Sequence, residues 1–146
     1  MNSEGCSMKK VLIDINILLD MIAERDDFHS ATAVFDLCAK RKIKGYVSSH
    51  EITTLGYLLE RYSLSHAQIA EIITGILDTF NVIPIGERLF RKALNSPIRD
   101  FEDAVIEVCA MKEEIDFIIT RNLKDFQNGR VECHTAGELA AILDLI

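Results

Sequence analysis

The sequence predicts an α/β fold: a three-layer α/β/α sandwich around a mainly parallel five-stranded sheet. Three observations predict it. Short apolar runs such as Val11-Leu12-Ile13 show no polar alternation, as expected of strands covered on both faces. They alternate with longer segments whose apolar residues recur every three or four positions. Several of the runs also end in an acid or an amide, and parallel sheets place ligand sites beyond the carboxyl ends of their strands.

The elements follow in order. Val11–Ile15 reads as the first strand, with Asp14 inside it, and residues 16–22 as the first turns of a helix that Asp26-Asp27 breaks. From Phe28 to Lys42, the apolar positions Ala31, Val34, Phe35, Leu37 and Cys38 have helical spacing, and Lys40-Arg41-Lys42 suits a helix C-terminus. Gly45 stops that helix, and Tyr46–Ser48 is the second strand. Ser49–Tyr62 is a helix with Ile52, Leu55, Leu58 and Leu59 on one side. After a break at Ser63-Leu64, Ser65 caps a helix that runs to about Phe80.

Asn81–Pro84 is a third strand, residues 86–94 a helix, and Asn95-Ser96-Pro97 a turn. Residues 100–114 form the most regular helix, expected to bury Phe101, Ala104, Val105, Val108, Cys109 and Met111. Asp116–Thr120 and Val131–His134 are the last two strands. Between them lie a helical turn, Asn122–Phe126, and a loop at Gln127-Asn128-Gly129. Thr135–Leu143 closes the chain as a helix.

A chain of 146 residues, 49% of them hydrophobic, supports one packed domain and is too apolar for disorder. Its longest apolar stretches fall short of a membrane span. Residues 1–7 are polar and patternless. They read as a disordered extension or a cloning remnant rather than a secretory signal, which leaves residues 8–146 as the domain. Cys6, Cys38, Cys109 and Cys133 are scattered, with no paired spacing, so they read as small hydrophobes of a cytoplasmic protein and not as a zinc site. The net charge of −7 argues against a protein that coats nucleic acid by charge alone. Local cations such as Arg88, Arg91, Lys92, Arg99, Arg121 and Lys124 remain available to hold phosphates.

The chemistry rests on the acids. Asp14 and Glu51 directly follow strands, as does Asn122, while Asp100 and Asp103 open an apolar helix. Each has a plainer reading as a helix cap: Ser48/Glu51, Ser65/Gln68 and Thr135/Glu138 match the capping box, and Asp100/Asp103 and Asn122/Asp125 resemble it. Asp14 is the exception, because a carboxylate within an apolar strand is costly to bury without a partner. If the fold gathers these acids, they repel one another unless a cation holds them, and oxygen-only ligands suit Mg2+ or Mn2+. Such an ion polarises a scissile phosphate and lowers the pKa of a water, so no protein nucleophile is needed. His29, His50, His66 and His134 form no triad pattern, although His50 stands beside Glu51.

At these residues the chain resembles the PIN domain, the fold of many metal-dependent ribonucleases, including VapC-type toxins of toxin–antitoxin pairs. Residues 11–20, VLIDINILLD, are similar to the family's opening strand, with its first acid at Asp14 and its small polar residue at Asn16. Residues 48–53, SSHEIT, resemble the segment that carries the second acid, Glu51. Residues 100–106, DFEDAVI, resemble the third, with Asp103 the best match. Residues 118–126, IITRNLKDF, resemble the fourth. There Asn122 stands two positions after Thr120, where many members carry an acid, and Asp125 is the residue able to compensate.

The resemblance implies strand order 3-2-1-4-5, an RNA substrate, a frequent homodimer and a small antitoxin protein as partner. It implies metal ligation by Asp14, Glu51 and Asp103, with Asp100 as an added ligand or water holder and Asn16, Thr120, Asn122 and Asp125 in support. Two rivals differ in kind. A haloacid dehalogenase-type phosphohydrolase needs a second Asp two residues after the first, where this chain has Asn16. A PIN-like module that binds RNA or protein without cutting is suggested by Asn122.

Overall fold

The computed structural model describes residues 8–144, so the extension expected at residues 1–7 lies outside the described residues. Five strands form one sheet: β1 (Lys10–Ile13), β2 (Lys44–Ser48), β3 (Asn81–Ile83), β4 (Phe117–Ile119) and β5 (Cys133–His134). Their order is β3-β2-β1-β4-β5 and every pairing is parallel, as the sequence reading expected. Among the described residues seven helices surround them: α1 (Ile15–Ile22), α2 (Phe28–Ala39), α3 (Ser49–Arg61), α4 (His66–Thr79), α5 (Glu87–Ala93), α6 (Phe101–Lys112) and α7 (Ala136–Asp144). Leu123–Phe126 is a 3-10 turn. Among the described residues no helix is long and apolar enough to cross a membrane.

The pleat of β1 divides the core. Val11 and Ile13 join Val47, Phe117 and Ile119 under the helices α1 to α4 and α7. Leu12 points the other way, with Tyr46, Ile83 and Ile118, under α5 and α6. Both faces of the sheet are therefore dry, which explains why its strands lack polar alternation. Gly45 fits a close approach in β2: a Cβ there would stand 2.6 Å from Cys38 Sγ and 2.7 Å from the Phe80 ring. Cys38 and Cys109 are buried free thiols and Cys133 is half-buried, so none of the three is in a disulfide.

The structure corrects several expectations. Asp14 does not lie within β1 but caps α1. Its own N–H still extends the sheet ladder, donating to the Ile119 carbonyl at 2.9 Å, while its Oδ1 accepts from the Ile15 N–H at 2.9 Å. Helix α2 ends at Ala39 and not at Lys42, because Arg41 takes φ +57°. The same device ends three more helices, with Glu24, Ser63 and Glu114 at φ between +50° and +64°. In each case the next residue's N–H reaches back five positions: Arg25 to Asp20, Lys42 to Leu37, Leu64 to Leu59 and Ile115 to Ala110. These are Schellman closures. The left-handed position is usually glycine, and none stands at these ends; the break at Ser63-Leu64 was expected nonetheless, while the end after Ala39 was not.

Helix α6 departs from the expected burial. Ala104 to Ala110 is buried without a break, so the helix is enclosed on all sides along its middle. Phe101 and Met111, both expected in the core, lie beyond that stretch and are 45% and 43% exposed.

Candidate active site

Strand order reverses between β1 and β4, and side chains from the carboxyl ends of these strands meet there. The Thr120 hydroxyl donates to Asp14 Oδ2 at 3.0 Å and accepts from the Asn122 N–H at 3.1 Å. Thr120 is fully buried, so one hydroxyl fixes the rotamer of Asp14 and the direction of the chain leaving β4.

Beside this pair, Ser48 and Glu51 form the expected capping box at the start of α3. Glu51 Oε1 accepts from the Ser48 N–H at 2.8 Å, and the Ser48 hydroxyl accepts from the Glu51 N–H at 3.2 Å. Glu51 does more than cap. It is 5% exposed, and its second oxygen, Oε2, is buried without a hydrogen-bond partner. An unpaired buried carboxylate oxygen is costly. Asp100 caps α6, its Oδ1 accepting from the Asp103 N–H at 3.0 Å. The last pair differs from a capping box: the Asp125 N–H reaches the Asn122 carbonyl, and no side chain caps the 3-10 turn.

Asp14, Asn16, Glu51, Asp100, Asp103, Asn122 and Asp125 all line one open cleft of about 630 Å³. Every metal-site candidate named from the sequence is there except Thr120, which stands behind Asp14, whereas none of the cations named for phosphate (Arg88, Arg91, Lys92, Arg99, Arg121, Lys124) lines the cleft. The acids disturb one another. Burial, and then the charge of Asp14, push the Glu51 carboxyl well above its ordinary value. Burial also raises Asp14, against the opposing hydrogen bonds from Thr120 and Ile15. Asp103 rises to about 7, first through burial and then through Asp100, Asp125, Asp14 and Glu102.

Among the described residues no three acid, histidine or cysteine side chains converge into a closed metal cage. The donors nevertheless suit a hard divalent cation. They are oxygens, they crowd negative charge into one cleft, and Glu51 Oε2 is a buried acceptor left without a donor.

A second network was not visible in the sequence. Asp20 on α1 is fully buried, and its Oδ1 accepts from Arg25 Nε at 2.9 Å and Arg121 Nη1 at 3.0 Å. Arg25 also donates to the Asn16 carbonyl at 3.2 Å. Asp20 thus ties the backbone of one cleft residue, Asn16, to the residue that precedes another, Asn122. Residues 20 and 121 are too far apart in sequence for spacing to reveal the pair. The aromatic part of the cleft lining, His50, Phe90 and Phe101, was likewise unforeseen apart from His50.

A parallel five-stranded sheet in the order β3-β2-β1-β4-β5, with an acid-lined cleft at its switch point, places the chain in the α/β class. The PIN domain family model matches residues 10–124, and the chain belongs to that family. Solved structures agree in fold. VapBC2 from Rickettsia felis, crystallised bound to a DNA fragment from its promoter, superposes with a TM-score of 0.68 at 18% identity, covering 86% of this chain and 98% of that one. A toxin–antitoxin complex from Klebsiella pneumoniae gives 0.65 at 22% identity, covering 86% and 97%. VapC20 of Mycobacterium tuberculosis, a toxin that cleaves the sarcin–ricin loop, gives 0.59 at 18%, covering 74% and 86%. No curated protein matches the chain by sequence.

Proposed function

We propose that this PIN domain, spanning residues 8–146, is a divalent-metal-dependent endoribonuclease. The observation that carries the reading is Glu51 Oε2, a buried carboxylate oxygen with no donor, in a cleft that also holds Asp14 and Asp103. These three would hold Mg2+ or Mn2+, with Asp100 as a further ligand or a holder of water. Asn16, Asn122 and Asp125 would bind through their oxygens or through water. When bound, the ion supplies electrostatic stabilisation of the developing phosphate charge and a more acidic water.

The protein's own work is positioning. Thr120 locks Asp14 by its 3.0 Å bond, the capping box aims Glu51, and the Asp100 cap orders the turn that bears Asp103. RNA as substrate is drawn from the family and from the M. tuberculosis neighbour, whose name states the RNA element it cuts. A small antitoxin partner is drawn from the toxin–antitoxin neighbours. A homodimer and a cytoplasmic setting complete the reading. Exposed Tyr57 on α3, Tyr62 just beyond its end, and Leu77 on α4 offer apolar surface for self-association.

The test is cleavage of a mixed RNA panel with Mn2+, Mg2+ or EDTA, comparing the protein with Asp14→Asn. Metal-dependent cutting that the substitution abolishes is the expected result. No cutting by a folded protein that still binds Mn2+ would move the assignment to a second reading, a PIN-like module that binds RNA or protein without cutting. Asn122 favours that second reading, because it is neutral where many members carry an acid.

A further inference from the structure

The acids form only part of the cleft; another part is aromatic. Phe101, on the first turn of α6, stacks on Phe90 of α5 with ring centroids 6.2 Å apart and an interplanar angle of 26°. Phe90 in turn meets His50, at the start of α3, edge to face at 5.2 Å. The three rings make a continuous wall of the cavity that holds Asp14, Glu51 and Asp103. Phe101 is 45% exposed although it sits between Asp100 and Asp103 in sequence, and the buried stretch of α6 begins only at Ala104. Folding does not require a phenylalanine there.

We propose that Phe101, backed by Phe90 and His50, is a stacking platform for an unpaired base of the nucleotide next to the scissile phosphodiester. This rests on the reading of the cleft as an RNA-cutting site. A phosphate at the acids leaves its neighbouring nucleotide against a wall of the same cavity, and this wall offers ring faces. Charge supports the same occupant. The cleft carries Asp14, Glu51, Asp100, Glu102, Asp103 and Asp125, so a polyanion gains little from it electrostatically. Contacts that do not depend on charge must supply part of the affinity. Stacking on an aromatic ring does so and accepts any base, since every base has a π-face. A base held in a duplex is already stacked on its neighbours, so the platform selects single-stranded segments, loops and bulges.

The test uses an RNA octamer with one 2-aminopurine, a second octamer abasic at that position, and the duplex of the first. Affinity and 2-aminopurine fluorescence are measured on the cleavage-impaired Asp14→Asn protein, alone and combined with Phe101→Ala, Phe101→Leu or Phe101→Tyr. Cleavage is measured on the same Phe101 variants without the Asp14 change. Melting temperatures check that each variant folds, and Phe101→Leu keeps apolar contact with Phe90 while removing the ring. The expected result is a loss of affinity of about 5- to 150-fold in the Ala and Leu variants, matched by the abasic strand. The Tyr variant should restore affinity and fluorescence quenching, and the duplex should bind poorly. Unchanged affinity and quenching in Phe101→Ala would overturn the platform while leaving the nuclease reading intact. So would an Ala variant that keeps its RNA affinity but loses a protein partner, which would make the wall a protein-docking surface. If the Asp14→Asn protein binds no octamer and the unsubstituted protein cuts no RNA, both readings fall together.

Discussion

Thr120 Oγ1 lies 3.0 Å from Asp14 Oδ2, joining residues 106 positions apart at the reversal of strand order. Thr120 is fully buried and Asp14 nearly so, at the edge of the cleft. Thr120→Val keeps the shape but removes both the donor to Asp14 and the acceptor for the Asn122 N–H. The expected cost is about 1–3 kcal/mol, because a buried carboxylate oxygen loses its donor. Thr120→Ser should recover most of it. Urea unfolding measures the difference, and a Val variant as stable as the parent would show that the bond contributes nothing net.

Asp103 predicts an unusual pH response. In the unfolded chain it titrates near 3.8, while in the fold it titrates near 7. Between those values the folded state binds the extra proton, so this group's contribution to stability falls as pH rises from about 4 to 7. Without metal, Asp103→Asn should flatten that slope and should be the more stable form at pH 8. Mn2+ competes with the proton for the same oxygens, so its gain in melting temperature should be larger at pH 8 than at pH 5. Melting curves at both pH values, in EDTA and in Mn2+, decide it. An equal gain at both would place the ion away from Asp103.

The buried carboxylate of Asp20 answers two guanidiniums that are each about a third exposed. Asp20→Ala leaves Arg25 and Arg121 without their shared partner, but both can turn to water. The expected loss is therefore about 3 kcal/mol, the lower end for breaking a buried pair. Cleavage should fall as well, since Arg25 also holds the Asn16 carbonyl. A variant that loses stability yet keeps full activity would confine the network to folding.

The parts of the fold that were legible in sequence are those set by local pattern. Unbroken apolar runs marked the strands, and the Ser48/Glu51 and Ser65/Gln68 boxes marked two helix starts that the structure repeats. The acids of the cleft were legible because they follow strands or caps, whose direction a parallel sheet fixes. The ends of α2 and α6 were read two or three residues too long, because Arg41 and Glu114 close those helices without glycine. The Asp20–Arg121 pair was not, because contact between distant residues leaves no periodic trace. Phe101 has helical spacing, which a core residue and a residue at the lip of a cleft share.

Those non-glycine helix ends carry a prediction of their own. Glu114 at φ +55° adopts a conformation that costs a residue with a Cβ about 1 kcal/mol relative to glycine. Glu114→Gly should therefore stabilise the protein, by about 0.5 kcal/mol after the added freedom of the unfolded chain is counted. It should do so without affecting metal binding. Thermal unfolding and Mn2+ titration of the same variant check both halves.

Asn122 decides how much charge the cleft can hold. It lines the cavity with Asp14, Asp103 and Asp125 but brings an amide oxygen in place of a carboxylate. Asn122→Asp adds a like charge near Asp103, whose carboxyl burial and then the neighbouring acids raise to about 7. Without metal at pH 8 the variant should be less stable by about 1 kcal/mol, the scale of one like-charge contact fully screened by water. Near pH 4, where Asp103 is protonated, the penalty should shrink. Mn2+ should reverse the order, since each added carboxylate strengthens a site for a hard cation. Calorimetric titration should show tighter binding or a second equivalent of Mn2+. If the isotherm and the metal-free stability both match the parent, residue 122 faces away from the ion, and its neutrality does not limit metal loading.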